Sequence, residues 1–114
     1  MAEGCLFCRM ASGGMQVEKL YEDDLVFAVR DINPRAPVHV LIVPKEHIPT
    51  LGDIEGRHAP TLYAMMKAAN EVAAREGVAE RGYRVAINVG REGGQVIRHL
   101  HMHLLGGRVL GAEG

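Results

Sequence analysis

Polar and apolar residues alternate most strictly in His99-Leu100-His101-Met102-His103-Leu104-Leu105, which sets a histidine at every second position. A period of two predicts a strand with three imidazoles on one face and Leu100, Met102 and Leu104 turned into a core. Upstream, KLYEDD from Lys19, LVFAVRD from Leu25 and VHVLIVP from Val38 are short runs rich in Val, Leu and aromatic residues, and they read as three consecutive strands. Glu22-Asp23-Asp24 supplies the first turn and Asn33-Pro34-Arg35-Ala36-Pro37 the second, where two prolines exclude regular helix, so an antiparallel meander is predicted. The period then changes. Leu62, Met65, Met66, Ala69, Val72 and Ala73 recur at three- and four-residue steps, the mark of an amphipathic helix, with Pro60 in its first turn, Gly77 at its C-terminal cap and the Met pair filling the core. Tyr83 to Asn88 alternates as a fourth strand and the histidine row makes a fifth. Leu6 to Ser12 predicts a short helix before Gly13-Gly14, and Gly106 to Gly111 is too short for another element. The fold class is α+β: a single antiparallel sheet of about five strands, with one long helix packed on a face and one short helix.

Composition narrows the function classes. A chain of 114 residues with 47% apolar content makes one ordinary domain over 1–114, large enough to bury a core without disulfides. Thirteen basic residues against fourteen acidic ones, scattered along the chain, leave no electrostatic footprint for nucleic acid. The first residues lack a basic segment followed by an apolar run, and no stretch approaches the roughly 20 apolar residues that span a bilayer. No membrane partner and a cytoplasmic location are expected.

The histidine row is the strongest chemical signal. With six histidines in the chain, composition alone would produce such a trio in roughly 1% of sequences. Neutral imidazoles two residues apart could ligate a catalytic metal. Alternatively, one imidazole attacks an electrophile while its neighbour assists the leaving group. Just upstream, Asn88-Val89-Gly90-Arg91-Glu92-Gly93-Gly94-Gln95 is a glycine-rich loop whose backbone N–H groups could cradle an anion. Cys5-Leu6-Phe7-Cys8 holds two thiols at zinc-ligand spacing and needs two further ligands from His39, His47, His58 or the row itself; a redox pair or two buried thiols fit equally. His39, in an apolar strand, reads as a hydrogen-bonded core histidine, His58 as solvated helix surface, and His47 as a strand-end residue well placed to ligate. Asp31, at the end of LVFAVRD, suits either a sugar diol or the start of a turn.

Taken together, CLFC, YEDDLVFAVRDINPRAPVHVLIVPKEHI, GYRVAINVGREGGQ and HLHMHLLGGR resemble the histidine-triad superfamily over nearly the whole chain, and within it the histidine-triad nucleotide-binding branch. The resemblance implies a homodimeric hydrolase that cleaves the P–N bond of purine nucleoside phosphoramidates through a covalent nucleotidyl-histidine. His101 would be the nucleophile, with His99 orienting it through a backbone carbonyl. His103 would contact phosphate and help the leaving group, and His39 would support them. Asp31 would bind the ribose, Phe7 and Ile32 the base, and Asn88 with the Gly94-Gln95 backbone the phosphate. Val96 stands where relatives carry a serine near the scissile bond, and the chain lacks their aromatic tail. Cys5, Cys8, His47 and His99 would hold a structural zinc; no organic cofactor is implied. Hydrolysis of dinucleoside polyphosphates and a nucleotide-sensing adaptor without turnover are the alternatives.

Overall fold

A computed structural model describes residues 4–113. The chain runs through α1 (Leu6–Ser12), β1 (Tyr21–Glu22), β2 (Val26–Arg30), β3 (Val38–Pro44), two single turns of 3-10 helix (Leu51–Asp53 and Gly56–His58), α2 (Ala59–Arg75), β4 (Tyr83–Ala86) and β5 (Met102–Gly106). The five strands form one antiparallel sheet in the order β1-β2-β3-β5-β4. The first three strands are the expected meander. The last strand then inserts between β3 and β4, which brings the histidine row against His39 on β3.

Period-two patterning decides what each face carries. Val26 and Ala28 of β2, Val38, Val40 and Ile42 of β3, and Leu100, Met102 and Leu104 turn to one face, where they pack with Met65, Ala68, Ala69, Val72 and Ala73 of α2. The opposite face carries Phe27, Val29, Leu41 and Val43, covered by Cys5, Phe7, Cys8 and Met10 at the start of the chain. His39 and the three histidines of the row lie on that second face, and each exposes less than a tenth of its surface.

Helix α1 has the predicted ends. The Cys5 side chain caps it by accepting from the Cys8 N–H, and Gly13 closes it at a left-handed φ of 85°. Several expectations are corrected. The fifth strand begins only at Met102, because the chain kinks before it, with the His99 N–H donating to the Ile97 carbonyl at 2.9 Å. The fourth stops at Ala86, two residues early. Met65 is fully buried but Met66, a residue on around the helix, is half exposed. His58 is not on the solvated surface: it is 3% exposed, its Nδ1 accepts from the Glu55 N–H and its Nε2 donates to Glu46. Among the described residues no helix is long and apolar enough to cross a membrane.

Candidate active site

The four histidines at the centre of the second face hold tautomers fixed by partners that are themselves unambiguous. A carbonyl can only accept, so the 2.7 Å contact from His101 Nδ1 to the His99 carbonyl places the ring hydrogen on Nδ1 and leaves the lone pair on Nε2. By the same logic His99 donates from Nε2 to the Pro44 carbonyl at 2.7 Å and keeps Nδ1 bare. The Arg35 N–H donates to His39 Nδ1 at 3.1 Å, so His39 carries its hydrogen on Nε2. That hydrogen points at His103 Nδ1, 3.0 Å away, and at Asp31 Oδ2, 3.3 Å away. The Arg35 guanidinium also donates to His103 Nδ1, at 3.4 Å. His103 is thereby left with its hydrogen on Nε2. The pair that follows is one ring with an available nitrogen lone pair, His101, and one with an N–H to offer, His103, their centroids 5.2 Å apart.

Burial favours the neutral form of His103 and His39. It pushes His103 down to about 4, helped by His101, His39 and the Arg35 cation and opposed by the Asp31 carboxylate. Burial likewise lowers His39, with Asp31 opposing and Arg35 assisting. A row that looks uniform in sequence therefore divides in space.

The loop after β4 is ordered by its own polar groups. Asn88 Nδ2 donates to the Gly93 carbonyl at 2.7 Å, which leaves its second amide hydrogen unused by that bond. Gln95 accepts from the Gly90 N–H and donates to the carbonyls of Pro49 and Ile97. Gly93 admits no side chain, since a Cβ there would strike the Val89 backbone. Two sequence expectations change here. The N–H groups of Gly94 and Gln95, expected to face phosphate, donate instead to the carbonyls of Arg91 and Gly90 within the loop. Phe7, expected beside a base, is 1% exposed and packs its ring on His99 and His101 at centroid distances of 5.6 and 5.1 Å, so it is a floor under the imidazoles. Ile32 and Val96 are 91% and 90% exposed, and Asp31, half-buried, sets its carboxylate against His39. Arg35 and the Pro44 carbonyl went unread in the sequence. An arginine in a Pro-rich turn looks like a solvated charge, and a backbone carbonyl leaves no trace in residue type.

Cys5, Cys8, His47 and His99 converge beside this site, with one ligand atom from each within 4.8 Å of the others. Cys5 Sγ is 3.2 Å and Cys8 Sγ 3.6 Å from the bare Nδ1 of His99, and Cys8 Sγ is 3.2 Å from His47 Nδ1. Sulfur and nitrogen bound to one tetrahedral zinc sit about 3.5 Å apart, so the four groups fit that ion. The His99 tautomer fits as well, because a ligating imidazole typically donates its other N–H to a carbonyl. Burial, and then the neighbouring Cys5, push the Cys8 thiol up to about 11; a dication among these groups favours the thiolates instead. His39 and His58, the other ligand candidates, are engaged elsewhere.

Comparison with known proteins places this arrangement. The HIT domain model matches residues 13–110. The chain belongs to the HIT family. It is 47% identical over 111 residues to the purine nucleoside phosphoramidase of Escherichia coli, covering 97% of this chain and 93% of the relative. Among solved HIT structures, a HIT family hydrolase from Clostridium thermocellum superposes with a TM-score of 0.93 at 48% identity, covering 97% of this chain and 96% of that one. A zinc-bound histidine triad family protein from Mycobacterium smegmatis superposes with a TM-score of 0.80 at 29% identity, over 95% of this chain and 78% of that one.

Proposed function

We propose that this HIT protein hydrolyses purine nucleoside phosphoramidates, releasing the nucleoside monophosphate, as a cytoplasmic homodimer with one structural zinc in each chain. The observation that carries the reading is the His101 tautomer: Nδ1 is committed to the His99 carbonyl, so Nε2 holds a lone pair next to the N–H of His103. A ring so held attacks the α-phosphorus from Nε2. The Nε2–P bond forms, the P–N bond breaks, and the departing nitrogen leaves with the electron pair and takes a proton from water. Water then attacks phosphorus, the Nε2–P bond breaks, and the monophosphate and a proton are released. His103 donates its Nε2–H toward the phosphoryl group, and the free hydrogen of Asn88 serves the same oxygens. Asp31 accepts from the ribose hydroxyls and Ile32 lies against the base. Phe7 supports His101 from below, while Gly94 and Gln95 hold the loop in place.

Cys5, Cys8, His47 and His99 hold the zinc as a closed Cys₂His₂ set; when bound, it acts as a crosslink and contributes no reacting water. Two free thiols are also at home in a reducing cytoplasm. The test is release of AMP from adenosine 5′-phosphoramidate by the wild type and by His101→Ala. Turnover at least 10³-fold above the variant is expected for loss of a covalent nucleophile. Release no greater than the variant's overturns the proposal, and tight nucleotide binding without turnover would identify a sensing adaptor in its place.

A further inference from the structure

Arg35 makes three contacts, two of them with the site. Its backbone N–H fixes the His39 tautomer at 3.1 Å. Its guanidinium donates to His103 Nδ1 at 3.4 Å. Its carbonyl accepts from Arg108 at 2.8 Å, which ties the Pro-rich connection between β2 and β3 to the turn after β5. Among the described residues, the ion pairs formed elsewhere on the surface do not include Arg35. A cation without a carboxylate partner therefore leans on the back of the ring that faces phosphate.

We propose that Arg35 is a positioning residue that sets leaving-group preference: its guanidinium, donating to His103 Nδ1 beside the His39 N–H, sets a positive charge against that ring and opposes its conversion to an imidazolium. The proposal rests on the phosphoramidase reading for its substrates, but its structural half stands without it. Protonating His103 would place a hydrogen on Nδ1, where the guanidinium already donates, and a second positive charge beside the first. The other groups facing the ring do not reverse this. His101 precedes it on the same segment, His39 reaches it from β3, Asp31 offers the single carboxylate, and β4 opposes it in register with the uncharged Ala86.

The chemical consequence follows from where the departing nitrogen obtains its proton. A strongly basic alkylamine leaves poorly unless an acid protonates it as the P–N bond breaks, whereas a weakly basic arylamine departs with its electron pair and takes a proton from water afterwards. A His103 held neutral is a scarce acid at neutral pH. The site should therefore favour weakly basic leaving groups, and freeing His103 from the cation should narrow that preference. In the step itself, His101 Nε2 bonds to phosphorus while the P–N bond breaks; with an imidazolium His103, the Nε2 proton passes to the departing nitrogen and the ring returns to its neutral form.

Three variants separate the effects. Arg35→Gln keeps a donor near Nδ1 and removes the charge, Arg35→Met removes both, and Arg35→Lys keeps the charge without the planar fork. Nitrogen-15 NMR of the free protein reads the protonation midpoint and tautomer of His103, while turnover is measured on adenosine phosphoramidates of an alkylamine and of p-nitroaniline. In Arg35→Gln the midpoint should rise by about one pH unit, and the alkylamine-to-nitroaniline ratio of turnover should rise about tenfold. Arg35→Met should show the same rise with the His103 tautomer unchanged, since the His39 N–H still donates to Nδ1, and Arg35→Lys should stay near wild type. An unchanged midpoint, an unchanged ratio, or an equal loss on both substrates overturns the proposal. If the wild type cleaves neither substrate, the phosphoramidase reading fails, while the NMR midpoint still judges the role of Arg35.

Discussion

His103 shows how a single buried ring links chemistry to stability. Its pKa is near 4 in the folded protein against 6.5 for the free group. The folded value is the lower one, so between those limits the unfolded chain binds a proton that the native protein refuses. Stability from this source is intact above about pH 6.5, declines as pH falls toward 4, and stays lost below. Lowering the pH from 7 to 4.5 should then cost about 2–3 kcal/mol through His103 alone. Urea unfolding at the two pH values measures it. His39 is shifted the same way and several carboxylates also weaken in acid, so the decisive quantity is the difference between wild type and His103→Asn, whose curve should be flatter by that amount. Equal slopes would mean that His103 is not held neutral. At this scale residue spacing marked the histidines for chemistry without dividing it among them, and the division came from the family resemblance. The spacing of His99, His101 and His103 is periodic, but their tautomers depend on the Pro44 and His99 carbonyls and on the His39 and Arg35 side chains, which the folded chain brings near.

Between elements, the histidine row is joined to the first helix. Cys5 caps α1 and lies 3.2 Å from His99 Nδ1, while the His99 carbonyl holds His101 at 2.7 Å. The proposed metal site is thus one hydrogen bond from the attacking ring, through the carbonyl of its own ligand His99, and its loss should be felt there. Metal analysis of the purified protein should find one zinc per chain, absent in Cys5→Ser. That variant should lose about tenfold or more in AMP release, the usual scale when support of an orienting group is removed, and melt at a lower temperature. Full metal content in Cys5→Ser would sink the assignment. Sequence patterning read these elements well where it reflects one dominant face. β3 appears with the bounds of VHVLIVP, and α1 ends at the glycine that the text announces. It read them poorly where a local contact intervenes. The kink between Ile97 and His99 shortens β5 and swings His99 toward the thiols. Phe7 is apolar for either a ligand pocket or a floor, and only the covering of the second face by α1 decides for the floor.

At the scale of the whole molecule, the sheet is unfinished. β4 pairs with β5 alone, so among the described residues its outer edge has no strand against it. Open edges are usually blunted or covered, because they present unpaired N–H and carbonyl groups to any other chain. On the α2 side of this edge the strand carries Tyr83 and Val85, while the charged Arg84 points to the other face. Val85, opposite Leu104 in register and hence on the α2 side of the sheet, is 41% exposed. The Tyr83 hydroxyl donates to Asn70, which fixes the face of α2 next to β4. Met66 and Tyr63, four and seven residues before Asn70, continue that face at 49% and 69% exposure. Strand edge and helix stripe make one surface, and a second copy related by a two-fold axis would cover both with the same residues. The proposed homodimer should therefore sediment at micromolar concentration with twice the mass of one chain. Charges placed on the edge and on the stripe, in Val85→Lys with Met66→Glu, should halve that mass, while the histidine tautomers at the far side of β5 remain as they are by NMR. A wild type that stays at the mass of one chain over the same range would refute the dimer.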